Sequence, residues 1–156
     1  MSTSIPKLRS SPAPAPTISI DAALVVVTHR SLKTARQLAA NDKYGEDGGV
    51  TLAVLGQKVL ETVYAQGILS HFEDRKVNNT MTLLSMLPTR IGGWVDQYKW
   101  KEKVRRAPDV DMNTQEEECT LFHAYVGTVF VEQGYEAVRA WILPATQVEN
   151  RLQRFR

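Results

Sequence analysis

From Ile18 onward, apolar residues recur at intervals of three and four, the spacing that gathers side chains on one helical face. Ser19 is placed to cap a helix running from Ile20 to His29. Residues Lys33 to Asn41 read as a further turn or two of helix, after which Gly45, Gly48 and Gly49 break the chain. Leu52, Leu55, Val59 and Val63 then mark one face of a helix that carries Gly56 in its interior. An interior glycine costs about 1 kcal/mol against alanine, so its presence predicts close approach by another helix. Asn79 to Leu87 reads as a shorter helix stopped by Pro88. Ile91, Val95 and Tyr98 form the next stripe, with Trp94 beside it. Asn113 and Glu116 have the spacing of a capping box, and behind them runs the longest periodic segment: Leu121, Phe122, Tyr125, Val126, Val129 and Phe130, closed by Gly134. Tyr135 to Leu143 and Thr146 to Phe155 follow, separated by Pro144. No run sustains the alternation of a strand and no internal repeat is found. The pattern therefore predicts an all-α domain of six to seven helices over residues 18–156.

Residues 1–17 differ in kind. Pro6, Pro12, Pro14 and Pro16 stand among Ser, Thr and Ala, and each proline fixes φ and removes a backbone donor, which predicts a disordered or extended tail. The stretch contains Lys7 and Arg9 and no acid precedes Asp21. That composition also suits a mitochondrial transit peptide, although the prolines disfavour the amphipathic helix such signals form. Over the whole chain of 156 residues, 43% hydrophobic and 23% charged residues suffice for one packed core. Nineteen Lys and Arg against 17 Asp and Glu leave a net charge of +2, too near balance to imply a nucleic-acid partner from charge alone. A single cysteine, Cys119, excludes an internal disulfide framework and a multi-cysteine zinc site, and fits a reducing compartment. Apolar runs such as Ala22 to Val27 are far short of a bilayer span, so no membrane partner is expected. With no secretory apolar region, the Asn78-Asn79-Thr80 sequon carries no weight, and an intracellular site, cytoplasmic or mitochondrial, is expected. Gly-x-Gly-x-x-Gly and P-loop patterns are absent.

Three segments, in order, resemble the ribonuclease III domain family. Thr28-His29-Arg30-Ser31 is similar to the Thr-His-Arg-Ser that ends that family's first helix. Leu52-Ala53-Val54-Leu55-Gly56-Gln57-Lys58-Val59-Leu60 resembles its Leu-Glu-Phe-Leu-Gly-Asp-Ala-Val-Leu signature helix. Phe122-His123-Ala124-Tyr125-Val126-Gly127-Thr128-Val129-Phe130 resembles its Phe-Glu-Ala-Leu-Ile-Gly-Ala-Ile-Tyr helix. Asn78-Asn79 falls near the family's Asn-containing helix start, and the resemblance spans about residues 20 to 143. It implies a ribonuclease III-like helical fold. Active members hold Mg²⁺ with four acidic side chains and cut double-stranded RNA. Here those four positions carry Ala53, Gln57, Thr120 and His123.

The substitutions remove the chemistry. Mg²⁺ prefers hard oxygen ligands, and phosphodiester cleavage needs the metal to orient water and offset leaving-group charge. Ala53 supplies no ligand, Gln57 and Thr120 supply neutral oxygens, and the nitrogen of His123 suits zinc or copper better. The expectation is a pseudoenzyme with no catalytic residues, no resident metal and no cofactor. The competing expectation is an active double-stranded-RNA endoribonuclease, Mg²⁺-dependent, with displaced acids. Glu61 lies one turn beyond Gln57, and Glu116, Glu117 and Glu118 lie about a turn before Thr120, although that run is also what a helix N-terminus favours.

Other residues carry paired readings. His123 is a residual ligand or base, or a packed histidine; His29 joins a site or orders the end of the first helix; His71 suggests nothing among polar neighbours. Cys119 is a nucleophile without a local motif, or a small filler. Leu52, Leu55, Val59 and Val63 are domain core, and by the family resemblance also a seam for a homodimer or a heterodimer with a ribonuclease III-like chain. Lys99, Lys101, Lys103, Arg105 and Arg106, with Trp100 among them, are candidates for phosphate contact and base stacking on structured or double-stranded RNA, or a solvated helix end. Arg151, Arg154 and Arg156 add a second basic strip. The ribonuclease-like region leaves no length for a separate double-stranded-RNA-binding domain. The functional expectation is an RNA-binding or dimerisation module, in a ribonucleoprotein such as the mitochondrial ribosome or beside an active ribonuclease III.

Overall fold

The structure, a computed structural model, describes residues 13–32, 44–45, 47–71 and 77–147. Among them are six α-helices: α1 Ile20–Val27, α2 Gly48–His71, α3 Val77–Ser85, α4 Leu87–Tyr98, α5 Gln115–Gln133 and α6 Tyr135–Thr146. A 3₁₀ turn, Trp100–Lys103, follows α4. No strand occurs among the described residues; the one isolated bridge pairs Thr28 with Arg105. The all-α expectation holds. The stretch Lys33 to Asn41, most of Thr146 to Phe155, and Arg151, Arg154 and Arg156 lie outside the described residues.

Helix starts follow local chemistry, with corrections of a residue or two. The Ser19 hydroxyl accepts from the Ala22 amide at 3.2 Å, so α1 is capped as expected, and it ends at Val27 rather than His29. Gly48 and Gly49 open α2 rather than break it; the turn is made at Gly45, whose φ is +70°. Pro88 stands in the first turn of α4, where its missing N–H costs nothing, so it starts a helix as well as following one. Thr114, not Asn113, caps α5: its hydroxyl accepts from the Glu117 amide at 3.3 Å. Pro144 sits inside the last turn of α6 instead of ending it.

The core lies where α2 packs against α5 and α6. Tyr64, Trp94, Phe122 and Trp141 are its largest fully or almost fully buried side chains. Arg90 joins three helices there. It donates to the hydroxyl of Tyr64 on α2 and, at 2.9 Å, to the carbonyl of Ala145 on α6, and its guanidinium lies 5.2 Å from the Trp94 ring centre. A cation at the end of α6 also meets the negative pole of the helix dipole.

Residues 13–17 are not a loose tail. Ala13 and Ala15 pack against the core. The Ala13 amide donates to the Trp141 carbonyl at 3.2 Å. The Tyr98 hydroxyl donates to the Ala13 carbonyl at 2.7 Å, and the Tyr125 hydroxyl to the Pro16 carbonyl at 2.5 Å. The segment is an extended strap over α4, α5 and α6, and the tail expected for residues 1–17 is at most the stretch 1–12, which lies outside the described residues. The prolines keep the segment out of a helix, and the half-buried hydroxyls of Tyr98 and Tyr125, which take its carbonyls as acceptors, hold the strap down.

Candidate functional site

The two segments that carry the signature resemblance are α2 and α5, and they cross at their glycines. A Cβ on Gly56 would stand 1.7 Å from the His123 carbonyl oxygen, and one on Gly127 would stand 2.1 Å from the Leu52 carbonyl oxygen. The backbones thus touch, as the interior glycine predicted. This contact brings the His123 backbone on α5 against Gly56 on α2, with Glu61 near the His123 ring.

The four positions expected to be acidic have four different surroundings. Ala53 is buried in the core. Gln57 is exposed and its side-chain amide donates to Glu61 at 3.1 Å. His123 is half-buried near Glu61. Thr120 lines a different space, a cavity of about 60 Å³ between α1, α5 and the loop before α5, together with Val25, His29, Val104, Met112 and Leu121. Among the described residues, no group of three or more His, Cys, Asp or Glu is placed to hold a metal ion.

Burial pushes the His123 imidazole down to about 4, against the weaker upward pull of the Glu61 charge. At neutral pH the ring is therefore uncharged. Its folded value lies below the unfolded value near 6.5, so its contribution to stability is whole above pH 6.5 and is lost as pH falls toward 4, where the unfolded chain takes up a proton and the folded one resists it. Urea denaturation at pH 7 and pH 4 is expected to show a loss of about 3 kcal/mol that is assignable to this residue and absent in His123→Gln.

Of the displaced-acid candidates, Glu117 and Glu118 are already committed. Glu117 accepts from Arg30 at 2.7 Å and contacts His29 Nε2 at 3.0 Å. Glu118 pairs with Lys101 at 2.7 Å. Glu61 remains exposed, with Gln57 as its hydrogen-bond donor.

The Thr28–Ser31 motif forms a structural knot. Thr28 donates to the Leu24 carbonyl at 2.6 Å. The Ser31 amide donates to His29 Nδ1 at 3.0 Å, which makes Nδ1 an acceptor and leaves Nε2–H to donate to Glu117. The Ser31 hydroxyl accepts from the Ala107 amide at 2.9 Å. Two backbone bonds, Arg105 amide to Val27 carbonyl at 2.7 Å and His29 amide to Arg105 carbonyl at 2.9 Å, complete the join. The motif ties the end of α1 to the start of α5 and to the loop between. Sequence reasoning placed His29 at the end of α1 but missed Glu117 as its partner; the glutamate run Glu116–Glu118 pointed to a helix N-terminus, not to this contact.

The basic cluster divides. Lys99, Lys103, Arg105 and Arg106 are exposed. Lys101 is not available: it pairs with Asp96 at 2.8 Å and Glu118 at 2.7 Å and contacts Asn113 at 3.1 Å. Burial pulls its ammonium down, but the bonds and charges of Asp96 and Glu118 outweigh that and raise it. Trp100 is also withdrawn from any base-stacking role, because its ring is sandwiched between Tyr98 at 4.7 Å and Tyr125 at 4.3 Å. Trp100 is buried and anchors the 3₁₀ turn that carries Lys101 and Lys103.

The stripe expected at a dimer seam faces inward. Leu52, Val59 and Val63 are buried in the chain's own core and Leu55 is half-buried, since α5 and α6 cover that face of α2. The exposed apolar residues of α2 are Val50, Val54 and Leu69. Cys119 is half-buried with its thiol 3.9 Å from the Pro88 carbonyl; burial and the Glu118 charge push it up, away from the reactive thiolate. The side chain of His71 lies outside the described ones.

No helix among the described residues is long and apolar enough to cross a membrane. No protein-family model, curated protein or solved structure matches the chain.

Proposed function

We propose that this chain is a ribonuclease III-like domain without hydrolytic activity that serves as a binding module for structured RNA, alone or paired with a second ribonuclease III-like chain. The observation that carries this reading is the chemistry at the α2–α5 crossing. The helices meet at Gly56 and Gly127, while Ala53, Gln57, Thr120 and His123 supply a buried methyl group, a neutral amide, a hydroxyl in a separate cavity and an uncharged imidazole. Such a set offers Mg²⁺ no anionic oxygen. The exposed cations Lys99, Lys103, Arg105 and Arg106 give the phosphate contacts of this reading. For pairing, Val50 and Val54, one turn apart and exposed on α2, supply apolar surface that the core stripe does not.

Filter binding of long double-stranded RNA to the pure protein tests the reading. Affinity is expected to fall steeply with salt, with a log–log slope of about −3 to −4 for four phosphate contacts, and to be lost on charge reversal at Lys99, Lys103, Arg105 and Arg106. Lys101 is left unchanged because its pairs are structural. Incubation with the same RNA and Mg²⁺ or Mn²⁺ is expected to leave it intact. Metal-dependent cleavage that Glu61→Ala abolishes would instead establish a nuclease with a displaced carboxylate.

A further inference from the structure

The strap over α4, α5 and α6 has a chemistry of its own. Tyr98, Trp100 and Tyr125 stack face to face, with ring centres 4.7 and 4.3 Å apart and interplanar angles of 17° and 18°. The hydroxyls at the two ends of this stack donate to Ala13 and Pro16, carbonyls three residues apart. Three residues make one turn of a polyproline II helix. Pro14, exposed, and Pro16, half-buried, have φ set by their rings, which holds the strap extended. Trp141 steadies the donor Tyr98: its indole N–H donates to the Tyr98 hydroxyl at 3.1 Å. Aromatic-lined grooves are a general means of reading proline-rich segments, and here the hydroxyls of the stack reach carbonyls one polyproline turn apart.

We propose that the Tyr98–Trp100–Tyr125 stack is a proline-rich-peptide groove, filled here by the chain's own residues 13–17, and that it accepts a proline-rich segment of another polypeptide when this strap lifts. The fit in cis is incomplete. A cavity of about 260 Å³ remains beside the strap, lined by Ala15, Thr17, Ile18, Trp100, Lys103 and Tyr125. A larger apolar residue in the register of Ala15 fills it, so the groove prefers a partner with leucine there over its own alanine. The covalent link gives the strap an effective concentration on the order of millimolar, which holds the groove closed to weak competitors. This inference is independent of RNA binding and of any metal chemistry.

The test uses the full chain carrying Pro14→Gly and Pro16→Gly, which weakens the strap by restoring its freedom when unbound. A fluorescein-labelled peptide, Pro-Ala-Pro-Ala-Pro-Thr-Ile, is titrated and followed by anisotropy. Saturable binding is expected, weakened about five- to tenfold when Tyr125→Phe is added and one hydrogen bond is lost. Leucine in place of the peptide's central alanine is expected to tighten it about tenfold. No binding to a variant that melts cooperatively, or equal binding of a peptide with glycine at every proline, overturns the proposal. If the double variant does not fold, tryptophan emission of the unaltered chain at millimolar peptide decides it. A shift with the proline peptide alone supports the groove; no shift, or the same shift with the glycine peptide, overturns it.

Discussion

Gly56→Ala is expected to lose at least about 3 kcal/mol of stability, the upper end of overpacking costs, read as a drop in urea midpoint. The new methyl group would stand 1.7 Å from a backbone carbonyl oxygen and 2.6 Å from the Gly127 amide nitrogen. Backbone has no rotamer to turn aside, so α2 and α5 must separate, and the core between α2, α5 and α6 opens with them. Gly127→Ala is expected to behave alike, since its methyl group meets the Leu52 carbonyl oxygen at 2.1 Å. Gly93→Ala is the control: nothing lies within 4 Å of that position, on the exposed side of α4. It should be neutral or gain up to about 1 kcal/mol from helix propensity. A Gly56→Ala variant as stable as the parent would mean that the helices do not cross at these glycines.

Arg90→Ala is expected to cost about 4 kcal/mol. The substitution removes two charge-assisted hydrogen bonds, each worth about 1.5 to 3 kcal/mol, and strands the fully buried Tyr64 hydroxyl. It also removes the cation from beside the Tyr64 and Trp94 rings. Tyr64→Phe in the same background should cost little more, because its lost partner is already gone. This non-additivity, measured as a double-mutant cycle by denaturation, separates the hydrogen bond from simple packing. Full additivity of the two changes would show that Arg90 and Tyr64 do not interact.

Much of the fold was legible in the chain. The three-and-four spacing located α2, α4, α5 and α6, because a helix that buries one face must repeat apolar residues at its own period. Gly56 pointed to a close approach because its cost in the middle of an apolar stripe is offset when another backbone comes near; Gly93, on the exposed side of α4, has no such neighbour. The boundaries were less legible. Pro88 reads as a stop but stands in the first turn of α4, and Gly48 and Gly49 read as a break but open α2, because proline and glycine are tolerated at helix starts as well as in loops. At the candidate site, that Ala53, Gln57, Thr120 and His123 carry no carboxylate is plain from the letters alone. That Thr120 faces a cavity with His29 while Gln57 faces Glu61 is not, because the two residues sit on different helices, α5 and α2, and what each faces is set by how those helices pack.

The sequence by itself determined the helical class and the lack of a carboxylate at Ala53, Gln57, Thr120 and His123, because periodicity and side-chain chemistry are local properties; it pointed to a close approach at Gly56, and the structure supplied the partner, Gly127 on α5. Only the tertiary structure decided which charges are spent and which are free. Lys101 is neutralised by Asp96 and Glu118, Glu117 by a motif 87 and 88 residues away, and a proline-rich segment is held by Tyr98 across a separation of 85 residues. Partners that distant in the chain meet only after the core has formed, and burial then sets the cost of leaving any of them unpaired.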